Sequence, residues 1–113
     1  MNGADALVSA SRAAGIEVCF ANPGTTEMAM VDALTRSKAI RPVLALFEGV
    51  ASGAADGYAR IAGRPASVML HLGPGLGNAT ANLHNARRGQ SPVVIRLRSR
   101  STTTTGCPRT WRS

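Results

Sequence analysis

The stretch "LFEGVASGAADGYAR" (Leu46–Arg60) decides the fold of this chain. It opens at the end of an apolar run, "PVLALF" (Pro42–Phe47), and continues in small residues that predict a helix from about Gly49 to Ala62, ended by Gly63. A strand running straight into a helix is half of a βαβ unit, and the pattern repeats outward on both sides. Upstream, Ala4–Ala14 places Leu7, Val8, Ser11 and Ala14 along one helical face before Gly15. "IEVCFA" (Ile16–Ala21) then reads as a strand closed by the turn "NPG". A second helix is predicted from Thr25 or Thr26 to about Leu34, with Glu27 favourable in its first turn. Downstream, "ASVMLH" (Ala66–His71) is a third strand, "GPGLGN" a turn, Thr80–Arg88 a helix, and "PVVI" (Pro92–Ile95) the start of a fourth strand.

Strands alternating with helices at short spacing predict an α/β fold, a parallel sheet with helices on both faces. Strands buried on both faces read as uniformly apolar, and "VLALF" and "VVI" do so. At 113 residues the chain holds at most one domain. No run reaches the 18 apolar residues or more of a membrane span, and no secretory signal opens the sequence. Cys19 and Cys107 belong to no metal-ligand or redox pattern, which argues against a zinc site and for a reducing, cytoplasmic setting.

The net charge of +7 is unevenly placed. Residues 1–85 carry as many acids as bases, and all seven charged residues of 86–113 are arginines. "RLRSRSTTTTGCPRTWRS" has no helical or strand period and is rich in Arg, Ser and Thr, a composition of disorder. Residues 1–95 are therefore expected to form the domain and 96–113 a basic tail. A parallel sheet that stops after one incipient strand leaves an open edge, so the domain is expected to be incomplete. The abrupt compositional change suggests out-of-frame translation near codon 95.

In an open parallel sheet, ligands gather where strands end and helices begin. Three such junctions, "ANPGTTE", "FEG" and "HLGPGLGN", hold the unusual residues and converge on one rim. "GPGLGN" departs from the dinucleotide fingerprint, because Asn78 stands where its last glycine belongs, and no P-loop lysine follows. It is a tight glycine turn or a loop whose backbone approaches a ligand. His71 ends a strand beside it, and His84, mid-helix, reads as structural. Thr25 and Thr26 are helix caps first and substrate contacts second. Gly49, Gly53 and Gly57 form a line at i, i+4 spacing that costs roughly 3 kcal/mol in helix propensity, which a close approach should offset. Asp56 and Arg60 read as a solvated pair. Glu48 has two readings. It complements the helix dipole, or it is a poorly solvated carboxylate of raised pKa suited to proton exchange.

Taken together, "FANPGTTEM", "LFEGVASGAADGYARIAGRP" and "HLGPGLGNATANLHNARRGQSPVV" resemble the thiamine diphosphate-dependent enzymes of the acetolactate synthase and benzoylformate decarboxylase type. The resemblance covers about residues 2–94 and points to the N-terminal, pyrimidine-binding domain. It implies that Glu48 hydrogen-bonds N1′ of the cofactor's aminopyrimidine, which activates the cofactor for attack on a 2-oxo acid. Asn22, Pro23 and Gly24 resemble the turn near that ring, and Pro74, Gly75 and Asn78 the loop that shapes its pocket. Thr25 and His71 match substrate-facing positions of the decarboxylase branch. In the family the diphosphate is anchored through magnesium by a C-terminal domain, and the active site forms between subunits. The resemblance thus implies a homo-oligomer, or pairing with a diphosphate-binding domain, and an inactive fragment when alone. It ends at Arg96. Two other readings stand beside it: an inactive α/β binding or regulatory fragment that pairs with a full-length homologue, and a basic nucleic-acid binder. The neutral domain and the tail's lack of interleaved aromatics argue against nucleic acid.

Overall fold

A computed structural model of the chain describes residues 1–98. The order is α1 (Gly3–Ala13), β1 (Val18–Ala21), a 3-10 turn (Thr25–Glu27), α2 (Met28–Ser37), β2 (Arg41–Leu44), α3 (Glu48–Ala62), β3 (Ala66–Leu70), α4 (Leu72–Arg88) and β4 (Val93–Leu97). The four strands form one parallel sheet in the order β2-β1-β3-β4. Successive side chains of a strand point to opposite faces, so each central strand feeds two cores. Val18, Val68 and Leu70 pack beneath α3 and α4 with Ala51, Ala55, Ala59 and Ala79. Cys19, Ala21 and Met69 pack beneath α1 and α2 with Val8, Ile16, Leu34 and Ile40. This is the expected α/β architecture with helices on both faces.

The local signals that start and stop the helices are visible. The Asn2 side chain accepts from the Asp5 amide at 2.9 Å while Asp5 accepts from the Asn2 amide at 3.1 Å, a reciprocal cap that opens α1. Gly15 (φ +84°) and Gly63 (φ +64°) supply the left-handed turns that follow α1 and α3.

Several expectations need correction. "GPGLGN" is not a turn: α4 begins at Leu72 and contains it. Proline is tolerated there because a first-turn N–H has no intrahelical acceptor to lose. Leu72 itself sits at φ +54°, a strained joint between β3 and α4. The expected buried strand Pro42–Phe47 is the short edge strand β2, and Leu46 is 89% exposed. At the opposite edge, Val94 and Ile95 of β4 are also exposed. Apolar composition predicted burial that only a neighbouring strand or helix can supply, and none of the described residues supplies it. In α1, Leu7 and Ala14 face solvent and only Val8 and Ser11 are buried. The second helix opens as 3-10 geometry and extends to Ser37.

The line that packs on α3 is alanine, not glycine. Ala51, Ala55 and Ala59 are buried against the sheet. Of the glycines, a Cβ on Gly53 would meet Asn82 Nδ2 of α4 at 3.3 Å and one on Gly49 would strike the Phe47 ring, whereas one on Gly57 would meet nothing within 4 Å. Asp56 and Arg60 are no solvated pair either. Asp56 accepts from Arg60 Nε at 2.8 Å and from Ser91 Oγ at 2.5 Å, and Arg60 Nη2 reaches the Asn85 carbonyl at 3.1 Å. The pair ties α3 to the end of α4, where a cation suits the helix C-terminus.

The strand begun by Pro92–Ile95 runs on to Leu97, so Arg96 belongs to the sheet. Its guanidinium is buried, donates to Ser11 Oγ and lies 3.5 Å from Met30 Sδ, while its Nε has no partner among the described residues. The remainder of the expected tail, 99–113, with Cys107, lies outside the described residues.

Candidate functional site

The three junctions meet on the C-terminal rim of the sheet, as parallel topology requires. Glu48 is the first residue of α3 and only 6% exposed. Its Oε2 accepts from Asn78 Nδ2 at 3.1 Å. A Cβ added to Gly75 would fall 3.0 Å from Oε1, so glycine is what lets the carboxylate lie against the first turns of α4. The N-terminal turns of α3 and α4 therefore converge on one carboxylate, and both helix dipoles favour its charge.

Of the two readings of Glu48, the raised pKa is overturned and the helix-dipole carboxylate stands. The Asn78 amide holds the carboxyl below the ordinary glutamate value, helped by its own backbone amide and the Asn22 side chain. Burial pushes the other way and loses. Hydrogen bonds to the charged form outweigh desolvation here.

A second carboxylate shares the rim, and sequence reasoning treated it only as a helix-dipole residue. Glu27 is 4% exposed. Its Oε2 accepts from the Gly24 amide at 2.9 Å and lies 2.8 Å from His71 Nδ1, and its Oε1 accepts from Thr26 Oγ1 at 2.6 Å. Burial alone would raise its pKa, but the hydrogen bonds from Thr26, His71 and Gly24 together bring it below the ordinary value. The expected threonine caps are thus replaced: Gly24 opens the turn, and the Glu27 carboxylate takes its amide. A signal was present in sequence, a Glu three residues after the turn glycine; its histidine partner, 44 positions away, was not.

The structure brings together two groups: Glu48 with Gly75, Asn78 and Asn22, and Glu27 with Gly24, Thr26 and His71. Thr25 is exposed and Pro74 stands at the surface of α4, neither hydrogen-bonded to Glu48 among the described residues. Pro23 lines a small apolar recess with Val31, Leu34 and Leu44. His84 is exposed on α4. Arg98, just past β4, donates to the Thr26 carbonyl at 3.0 Å and so reaches the same rim.

The donor set fits an aminopyrimidine. Glu48 offers a carboxylate able to share a proton with a ring nitrogen, and the lack of a side chain at Gly75 lets that carboxylate lie against the first turns of α4. Among the described residues no group of three His, Cys, Asp or Glu could hold a metal ion, and no helix is long and apolar enough to cross a membrane.

Comparison with known proteins gives a consistent result. Residues 1–109 match the family model for the thiamine pyrophosphate enzyme N-terminal TPP binding domain. The match passes Arg96, where the sequence reading ended the resemblance. The chain is 65% identical over 95 residues to IlvX of Mycobacterium tuberculosis, named as a candidate acetolactate synthase large subunit, covering 84% of this chain and 18% of that one. It is 41% identical over 81 residues to benzoylformate decarboxylase of Pseudomonas aeruginosa, covering 72% and 15%. Among solved structures, the thiamine diphosphate-dependent 4-hydroxybenzoylformate decarboxylase of Rhodococcus jostii RHA1 superposes with a TM-score of 0.77 at 33% identity, covering 83% of this chain and 18% of that one. The chain thus spans less than a fifth of the length of these relatives.

Proposed function

The chain belongs to the thiamine pyrophosphate enzymes, as an N-terminal TPP binding domain of acetolactate synthase-like type, and from that premise we propose that it binds the aminopyrimidine end of thiamine diphosphate through Glu48. One observation carries the reading: a buried carboxylate at the meeting of two helix N-termini, with a glycine beside it that no other residue could replace without contact. When bound, thiamine diphosphate supplies an electron sink for the carbanion left by decarboxylation of a 2-oxo acid. The chain's residues would hold and orient its ring. Glu48, kept ionised by Asn78 and the helix dipoles, would stabilise a proton held at N1′. Asn22 and Asn78 would fix the carboxylate, and Gly75 would let it lie against the first turns of α4.

Diphosphate anchoring and magnesium belong, on this reading, to parts of the relatives that the chain does not span. The 2-oxo acid substrate, facing His71 and Thr25, is likewise part of the proposal, as is pairing with a second subunit or a diphosphate-binding domain. The exposed apolar residues at β2 and the start of α3, Leu44, Leu46, Phe47 and Val50, support such pairing.

The test is an amide NMR titration of the full chain with thiamine diphosphate and, separately, with thiamine. Both should shift Glu48, Gly75 and Asn78, and Glu48→Gln should weaken binding about tenfold, the equivalent of one charge-assisted hydrogen bond. Absence of shifts at millimolar ligand would overturn the reading. Added magnesium and pyruvate or benzoylformate should give no turnover with this chain alone.

A further inference from the structure

His71 and Glu27 form a unit that the pyrimidine-binding role of Glu48 does not use. Both oxygens of Glu27 are engaged by the Gly24 amide, the Thr26 hydroxyl and the His71 ring. An ionised carboxylate can only accept hydrogen bonds. The proton in the 2.8 Å contact must therefore lie on His71 Nδ1, and Nε2 of the neutral ring is bare. Nε2 has no hydrogen-bond partner among the described residues, and the His71 side chain is about one-third exposed. Gly24 keeps the ring in place. A Cβ there would strike Nδ1 and Cε1 and fall 2.8 Å from Nε2, so the imidazole lies directly on the glycine backbone.

We propose that Glu27 is a positioning residue that fixes His71 in the Nδ1–H tautomer, leaving Nε2 as a proton acceptor on the rim that also carries Glu48. Nε2 can take a proton from a hydroxyl or carboxyl donor bound on the rim and later return it, with the Glu27 anion holding the imidazolium in between. The charged groups that face His71 are Glu27 and, at longer range, Glu48. The chemical purpose of the pair rests on the proposed function, but its geometry does not. The Glu27–His71–Gly24 arrangement stands whether or not the chain binds thiamine diphosphate.

The test reads the ring nitrogens of His71 directly, in the full chain labelled with 15N-histidine and without cofactor, at a pH where the ring is neutral. His84, exposed on α4, gives the reference signal. Long-range 1H–15N spectra should show His71 protonated at Nδ1 and bare at Nε2. Protonation at Nε2 in the unsubstituted chain would overturn the proposal, and that measurement needs no variant. Glu27→Gln offers an amide that can donate as well as accept, so the bias should collapse to a mixture of tautomers, and Glu27→Asp should restore part of it. Gly24→Ala keeps the carboxylate but displaces the ring, and should also lose the bias. Retention of the Nδ1–H tautomer in folded Glu27→Gln would show that Glu27 does not set it. Because no cofactor is present, a failed thiamine titration leaves these outcomes untouched, and the reverse also holds.

Discussion

The junctions after β1 and β2 each place one buried carboxylate on the same rim, yet they treat it differently. Glu27, after β1, has donors on both oxygens from a backbone amide, a hydroxyl and an imidazole. Glu48, after β2, accepts from Asn78 Nδ2 on Oε2, with the Asn22 side chain and its own backbone amide contributing, and has a glycine opposite Oε1. A carboxylate tied to its own turn and to the end of β3 holds structure. One held by asparagine amides at the meeting of two helix N-termini is, on the proposed function, the one that shares a proton with a ring nitrogen. Burial does not separate the two, since both are nearly inaccessible. The kind of donor does: Glu27 is tied to an imidazole and Glu48 to asparagine amides.

That contrast can be broken by substitution. Glu27→Ala leaves two donors and the His71 ring without their acceptor, and should cost about 3 kcal/mol in urea unfolding followed by circular dichroism. Glu48→Ala should cost about 1 kcal/mol, and equal losses would erase the distinction. Gly24→Ala forces the His71 ring aside and should cost about 2 kcal/mol. Acid should act in the same sense. Glu27, Glu48 and Asp56 all have folded pKa values below the ordinary ones, so the stability they contribute is present above those values and lost as pH falls through the folded pKa. The unfolding midpoint should therefore drop below about pH 4.5, the ordinary glutamate value, and drop less in Glu27→Gln. Asn78→Ala should raise the pKa of Glu48, read by carboxyl 13C titration, at a cost of about 1 kcal/mol. The smallest effect belongs to Leu46→Ser on the exposed edge, within about 0.5 kcal/mol, with improved solubility as the visible change.

Much of this fold was legible. The alternation of short apolar runs with small-residue helices pointed to a parallel sheet, and the three strand-to-helix junctions gave the rim. Glu48, Asn78, Gly75 and His71 were placed on that rim because they sit in those junctions, where topology alone brings distant residues together. The extent of burial was not legible. "VLALF" and "VVI" have the composition of central strands but lie at the two edges of the described sheet. "GPGLGN" carries turn residues, but the helix of which it forms the start accepts them in its first turns.

The sequence by itself determined the order of strands and helices and that the strand ends share a rim, because periodicity is local and short helical crossovers force neighbouring strands to run parallel. Tertiary structure alone decided that Glu27 meets His71, that Asp56 and Arg60 lock α3 to α4, and that the Glu48 carboxyl is held below the ordinary glutamate value. Those outcomes depend on which donors surround a group in space. Hydrogen bonds across 30 to 44 positions of chain leave no pattern in the sequence between them.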